Sequence, residues 1–427
     1  MALTLMKGSE AIAEAAIRAG ARYFFGYPIT PQTVVVERLS EMVEEGSLKA
    51  EYVHVESEHS ALSCAMGASA TGARTFTATS SQGLLYMAEV LTYAAGGRFP
   101  IVMMNANRAT ALPWNIYGDQ RDSLALLDHG WIQAYAENNQ EALDLALMAY
   151  AVAEDPAVLT PFMVNLDGFA LTHTYETVDV PAEEDADAFL PPYQATNCFD
   201  FEHPKNIGYS AGPDYNRYFK YYEHRDMLGA FEAIDRVEAR FAECFGRAYT
   251  GPVEAVSCDD AEVVLVTLGS IAGLVRESVA RLREQGKRVG LLRIRYMRPF
   301  PAKLIAEALA GAAAVGVLEK DISFGAEGTV FTNVNSALQQ AGCMVPTFNF
   351  VGGLGGDDIT SAQMDAMFDA LLDSVGERGR DDAAAGRSCD DASTGQGAGL
   401  GRVSFLGIDF PVASQPACGD DCEEGAR

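Results

Sequence analysis

The chain lacks most of the features that announce a function from sequence. No apolar run approaches the ~20 residues that a membrane-spanning helix needs. Basic residues are scarce, 31 against 59 acidic ones, and the formal net charge of −28 argues against nucleic acid or an anionic membrane surface as a partner. Neither the dinucleotide-binding glycine fingerprint nor a P-loop occurs, which speaks against a nucleotide-binding Rossmann protein. No Gly-Asp-Gly run followed downstream by Asn-Asn is present, so the chain has no obvious diphosphate-and-metal cradle of its own. The eight cysteines, Cys64, Cys198, Cys244, Cys258, Cys343, Cys389, Cys418 and Cys422, are scattered. None has the close spacing of an iron–sulfur ligand set, and only Cys418 and Cys422 stand near each other. The first residues carry one early lysine and no signal-peptide core, so a cytoplasmic location without disulfides is the expectation.

What is present is a globular α/β pattern. An apolar fraction of 48% suits a protein with ample core. The length, 427 residues, points to two or three domains of ~100–200 residues each. Strands are expected at about 22–25, 51–55, 74–78, 101–105, 131–135 and 161–165, with helices between them. That alternation means βαβ units and a mostly parallel sheet. From about 170 to 225 the pattern breaks, and the aromatic stretch to Tyr222 reads as a long ordered loop. A connecting helix from about 224 leads to a second alternating unit that starts near Glu262 and includes Met297–Pro301. The expected organisation is therefore residues 1–250, a smaller domain at 251–375, and a low-complexity acidic tail at 376–427. Most of that tail is expected to be disordered, with 403–410 as a segment able to dock as a strand.

Polar residues gather at the expected strand ends. Gly26-Tyr-Pro-Ile-Thr-Pro31 reads as a strand handing over to a helix, with Thr30 at the N-cap and Pro31 at the first helical position. Glu56-Ser-Glu-His-Ser60 follows the second strand, Thr79-Ser-Ser-Gln-Gly83 the third, and Asn105-Ala-Asn-Arg108 the fourth. Each has a plain role: Thr30 caps a helix, Glu58 favours a helix N-terminus, Arg108 forms a surface salt bridge. Each also has a chemical one, since the carboxyl edge of such a sheet is where ligands bind and an arginine there suits a carboxylate. Four such loops on one edge favour a binding site.

These stretches resemble the α subunit of 2-oxoacid:ferredoxin oxidoreductases of the separate-subunit, pyruvate type. The matching runs are Gly26–Pro31, Glu56-Ser-Glu-His-Ser-Ala61, Thr77-Ala-Thr-Ser-Ser-Gln-Gly-Leu84, Asn107-Arg-Ala-Thr-Ala-Leu-Pro-Trp114, Gly118-Asp-Gln-Arg-Asp-Ser123, Phe189-Leu-Pro-Pro192 and Arg295-Tyr-Met-Arg-Pro-Phe-Pro301. They span the chain up to about 375. The resemblance implies a pyrimidine-type thiamine diphosphate domain followed by a transketolase C-terminal-like domain, both doubly wound. It implies thiamine diphosphate shared with a β subunit, and Mg²⁺ and 4Fe–4S clusters on β, γ and δ partners. Coenzyme A would be the co-substrate, ferredoxin the electron acceptor and a 2-oxoacid the substrate. Glu58 is then the catalytic carboxyl beside the cofactor's aminopyrimidine, with Glu56 as its competitor. That role needs a carboxyl sheltered from water. Arg108 would pair with the substrate carboxylate and Thr30 would hydrogen-bond its oxygen. Pro28, Ser81, Gln82 and Gly83 would border the cofactor. His59 departs from the small residue of some relatives. Pyruvate oxidation to acetyl-CoA and CO2 is the leading reading. The same chemistry on 2-oxoisovalerate, an aryl pyruvate or oxalate is the enzymatic alternative, and a non-catalytic scaffold subunit is the alternative from another class.

Overall fold

The computed structural model describes residues 2–381, apart from 205 and 209, and residues 403–410. They form two compact units, Met1–Pro252 with Arg295–Pro301, and Val253–Ile294 with the described residues from Ala302 onward.

The first unit opens with β1 (Ala2–Lys7) and α1 (Gly8–Arg18). Next come β2 (Tyr23–Gly26), α2 (Thr33–Glu44), β3 (Glu51–His54), α3 (Glu58–Ser69) and β4 (Thr75–Thr79). After these lie α4 (Ser81–Tyr86), α5 (Ala88–Gly96), β5 (Val102–Asn107), α6 (Arg121–Leu124), β6 (Ile132–Tyr135), α7 (Asn139–Ala153) and β7 (Phe162–Asp167). The unit ends in β8 (Tyr175–Val180), α8 (Glu183–Phe189) and α9 (Pro213–Phe245). β2 to β7 build a parallel sheet. The alternation of β5 explains why both faces need apolar residues. Val102, Met104 and Ala106 pack with Phe24, Phe76 and the apolar faces of α1 and α7. Met103 packs on the other side with Leu62, Leu91 and Trp131. β4 to β7 are covered on both faces, as parallel strands are, whereas the edge strand β3 is largely exposed.

Strand order places the binding edge. β3 lies on one side of β2 and β4 on the other. The chain therefore reverses direction across the sheet between β2 and β4. Doubly wound sheets open a crevice at such a point, at the carboxyl ends of the strands.

Three parts of this unit differ from the sequence expectation. β1 and β8 pair antiparallel in a separate two-stranded sheet, where no strands were expected. The aromatic stretch before Tyr222 is not a loop but the first turns of α9, which begins at Pro213 and closes at Gly246 with φ 70°. Proline is favoured at a helix start and glycine at a left-handed stop. Residues 295–301 return to the first unit: β12 (Tyr296–Arg298) pairs antiparallel with β6, and buried Arg295 meets buried Glu141 at 2.6 Å.

The second unit contains β9 (Val253–Val256), β10 (Val263–Leu268), α10 (Ile271–Glu284) and β11 (Val289–Ile294). It continues with α11 (Ala302–Leu309), β13 (Ala314–Glu319), α12 (Thr329–Gln340), β14 (Thr347–Val351), α13 (Ser361–Asp381) and β15 (Val403–Phe405). The sheet order is β15-β14-β13-β10-β11-β9, parallel except for β9. Glu319 ends β13 fully buried and accepts N–H bonds from Val330 and Phe331 at the start of α12 and from the Asn349 side chain. Gly328 allows this approach, because a Cβ there would overlap the Glu319 carboxyl. Burial pushes that carboxyl up to about 8. Of the expected tail, the last turns of α13 and the strand β15 are described. The remainder, with Cys389, Cys418 and Cys422, lies outside the described residues. No described helix is long and apolar enough to cross a membrane.

Candidate active site

A cavity of about 430 Å³ opens at the carboxyl edge of the first sheet. It is lined by Thr30 after β2, Glu58 after β3, Gln82 and Gly83 after β4, and Arg108 after β5, with Ile29, Tyr86, Trp114 and Ile116 completing the wall. Pro28 is exposed and is not among the lining residues.

Thr30 does not cap α2. Ile29–Gln32 forms a reverse turn instead, closed by the Gln32 N–H on the Ile29 carbonyl at 2.8 Å, with a cis Thr30–Pro31 bond. The fully buried Gln32 side chain fixes this turn, accepting the Ile29 N–H and donating to the Ala78 carbonyl of β4 at 2.9 Å. The helix starts at Thr33, and Gln32 occupies the cap position without a side-chain cap bond. Thr30 is thereby left exposed at the cavity.

Ser57 caps α3 by accepting the Ser60 N–H, which puts Glu58 in the first turn, buried and facing the cavity. Glu56, its competitor, is exposed and outside the cavity lining. The Ser60 hydroxyl donates to it and holds its carboxyl below the usual range. Glu58 is packed against Gly83: a Cβ at Gly83 would lie 2.6 Å from Glu58 Oε1 and 2.6 Å from Thr79 Oγ1. Thr79 Oγ1 and Ser80 Oγ are buried and have no hydrogen-bond partner among the described residues.

Arg108 is only 3% exposed. It donates to the Thr30 carbonyl at 2.7 Å and to Gln82 Oε1 at 2.9 Å, and its guanidinium lies 5.6 Å from the Trp114 ring centroid. Burial lowers its pKa, while the negative charges of Asp122 and Glu58 pull it back up. The side chain is thus a cation held in place before any ligand arrives. Ser81 is fully buried, and its hydroxyl donates to the Ala109 carbonyl at 2.7 Å. Gln82, expected beside a cofactor, also serves as the clamp on Arg108. The run Gly118–Asp122 was read only as added charge beside Arg108. Asp119 pairs with Arg121 at 2.9 Å, whereas Asp122 turns inward onto N–H groups. Neither the Gln82 clamp nor the inward turn of Asp122 has a local sequence signal.

Residues 14–239 match the family described as pyruvate flavodoxin/ferredoxin oxidoreductase, thiamine diphosphate binding. Residues 261–364 match pyruvate:ferredoxin oxidoreductase core domain II. The pyruvate synthase subunit PorA of Methanothermobacter thermautotrophicus is 47% identical over 86% of this chain and 94% of its own. The chain belongs to the pyruvate flavodoxin/ferredoxin oxidoreductase family. Within it, the ketoisovalerate oxidoreductase subunit VorA of Pyrococcus abyssi is 43% identical over 85% of this chain and 92% of its own. A solved 2-oxoglutarate:ferredoxin oxidoreductase from Magnetococcus marinus shares the oxidoreductase fold, with a TM-score of 0.68 at 20% identity. That match covers 87% of this chain and 65% of the other. The chain carries the family's thiamine diphosphate-binding domain. The cavity's residues suit the pyrimidine end of that cofactor: a sheltered carboxyl, a glycine allowing close approach, and isoleucine walls. Arg108 is the one basic residue of the lining, and it is already clamped, so a diphosphate finds no cradle there.

Proposed function

We propose that this chain is the α subunit of a pyruvate:ferredoxin oxidoreductase complex, which decarboxylates pyruvate oxidatively to acetyl-CoA and CO2 or runs the reverse synthesis. The observation that supports this reading best is the convergence of Thr30, Glu58, Gln82, Gly83 and Arg108 on one cavity. Arg108 binds the 2-oxoacid carboxylate through N–H groups that Thr30 and Gln82 leave free, a charge-assisted contact. The Thr30 hydroxyl, exposed at the cavity, hydrogen-bonds substrate oxygen. Glu58 holds a proton at the aminopyrimidine nitrogen of the cofactor, in a position that Gly83 keeps sterically open. Thiamine diphosphate, when bound, supplies the carbon nucleophile and the electron sink for decarboxylation. Gln82 and Gly83 border it on this chain's side, and Ser81 and Pro28, which lie outside the cavity lining, act only through the turns that carry Gln82 and Thr30. A β subunit completes the site with the diphosphate and Mg²⁺ cradle. γ and δ subunits complete the complex, 4Fe–4S clusters on partner subunits pass electrons to ferredoxin, and coenzyme A takes the acyl group. The complex works in the cytoplasm.

A branched 2-oxoacid is the second reading, favoured by the 43% identity to VorA. The two are separated by a 2-oxoacid panel on the reconstituted complex, with coenzyme A and a low-potential acceptor. Pyruvate is expected to give the highest kcat/KM, and the isolated chain to be inactive because it holds half a site. A preference for 2-oxoisovalerate moves the assignment to the branched substrate. Absence of turnover with every 2-oxoacid contradicts the enzymatic reading.

A further inference from the structure

Asp122 lies in the first turn of α6 and is fully buried. Its two carboxylate oxygens accept five N–H bonds from three segments. Oδ2 takes the backbone N–H of Ser81 at 3.0 Å, the backbone N–H of Arg108 at 3.2 Å and the Asn105 amide at 3.2 Å. Oδ1 takes the Asn107 amide at 2.8 Å and the backbone N–H of Ser123 at 2.7 Å. Every partner is a donor, so the site is built for an acceptor-only group.

Two of those donors belong to the loops of the candidate active site. Ser81 has φ 50°, a left-handed conformation that a residue with a Cβ rarely adopts and that persists only where its surroundings enforce it. Its N–H is held by Asp122 and its hydroxyl by the Ala109 carbonyl. The next residue, Gln82, then points Oε1 at Arg108. The same Asp122 oxygen, Oδ2, also holds the Arg108 backbone N–H.

We infer that Asp122 is a positioning residue of this site: its charge holds the strained Ser81 turn and the Arg108 backbone in register, so that Gln82 clamps the guanidinium at the cavity. The inference rests on the 2-oxoacid reading proposed above. Asp122 touches neither substrate nor cofactor and acts through Arg108 and Gln82. Burial pushes its carboxyl up to about 6. The charged and titratable groups around it are Asp119 and Arg121 on its own segment, Arg108 after β5, Glu58 beyond Arg108, and Tyr135 of β6 through Ser123. Asp119 raises the carboxyl further, and the Asn107, Ser123 and Ser81 donors lower it. Below that pH the protonated acid must aim an O–H at converging donors, and a loop contact is lost.

The test is D122N in the reconstituted complex, read by hydrogen exchange and by kinetics. The isosteric amide presents N–H atoms to donors. The Ser81 and Arg108 amides are then expected to exchange roughly tenfold faster while the rest of the sheet keeps its protection. KM for pyruvate is expected to rise roughly 10- to 100-fold with kcat changed much less, since misplaced Arg108 weakens substrate capture. Wild-type rates of exchange at both amides, or an unchanged KM, overturn the inference. Where the variant does not fold, the wild-type complex decides: kcat/KM should fall as pH drops through about 6, and a flat profile down to pH ~5 overturns it. If the wild-type complex turns over no 2-oxoacid, the proposed function fails, and the exchange rates at Ser81 and Arg108 still decide the role of Asp122.

Discussion

Adding one methyl group at Gly83 tests how the chain places its candidate catalytic carboxyl. The Cβ of an alanine there would stand 2.6 Å from both Glu58 Oε1 and Thr79 Oγ1, and 2.8 Å from Glu58 Cγ. Ordinary contact begins at 3.4 Å, so a neighbour must retreat by about 0.8 Å. Thr79 belongs to the fully buried β4 and has little room, whereas Glu58 borders the cavity and yields. A displacement near 1 Å at a reacting group costs on the order of 100-fold in rate. The fold should tolerate the change: overpacking costs about 1–3 kcal/mol, and alanine in a helix recovers up to ~1 kcal/mol over glycine. The assay is CO2 release by the reconstituted G83A complex beside its thermal unfolding. We expect kcat to fall by roughly two orders of magnitude with Tm shifted by only a few degrees. A G83A complex with wild-type kcat would refute the claim that Gly83 sets the Glu58 position.

Arg108→Ala removes a charge-assisted contact of about 1.5–3 kcal/mol, so KM for the 2-oxoacid should rise about 10- to 100-fold. An unchanged KM takes Arg108 out of the substrate site. In the second unit, burial raises the folded-state pKa of Glu319 to about 8 from an ordinary 4.5. Its stabilising share is complete below 4.5 and is lost as pH rises through 8. Unfolding midpoints followed from pH ~5 to ~9 should therefore decline more steeply for wild type than for E319Q, and parallel curves would contradict this.

Much of the fold was legible because its signals are local. Apolar strands such as Ile101–Asn105 and the polar loops after them announce a covered parallel sheet with a functional edge. What was not legible depends on contacts distant in sequence. Thr30 and Pro31 have the chemistry of a helix start and also of a reverse turn, and the choice is made by Gln32 reaching the Ala78 carbonyl 46 residues away. Residues 295–301 continue smoothly from β11 in sequence, but Arg295 pairs with Glu141, 154 residues away. The first turns of α9 place Tyr215, Tyr218, Phe219 and Tyr222 at helical spacing, so a helix signal was present there, but these aromatics are exposed and cover no core. Strand-end position identified Arg108 as a candidate ligand for an anion, but could not reveal that Thr30, Gln82 and Trp114 already hold it.

In the proposed function Glu58, buried at the start of α3 and packed against Gly83 of α4, carries the acid–base work of 2-oxoacid decarboxylation. Glu58→Gln in the reconstituted complex, assayed for CO2 release from pyruvate with coenzyme A and a low-potential acceptor, tests it most directly. Subunit assembly should stay intact and CO2 release should be abolished; an assembled E58Q complex that releases CO2 at the wild-type rate removes Glu58 from the acid–base role.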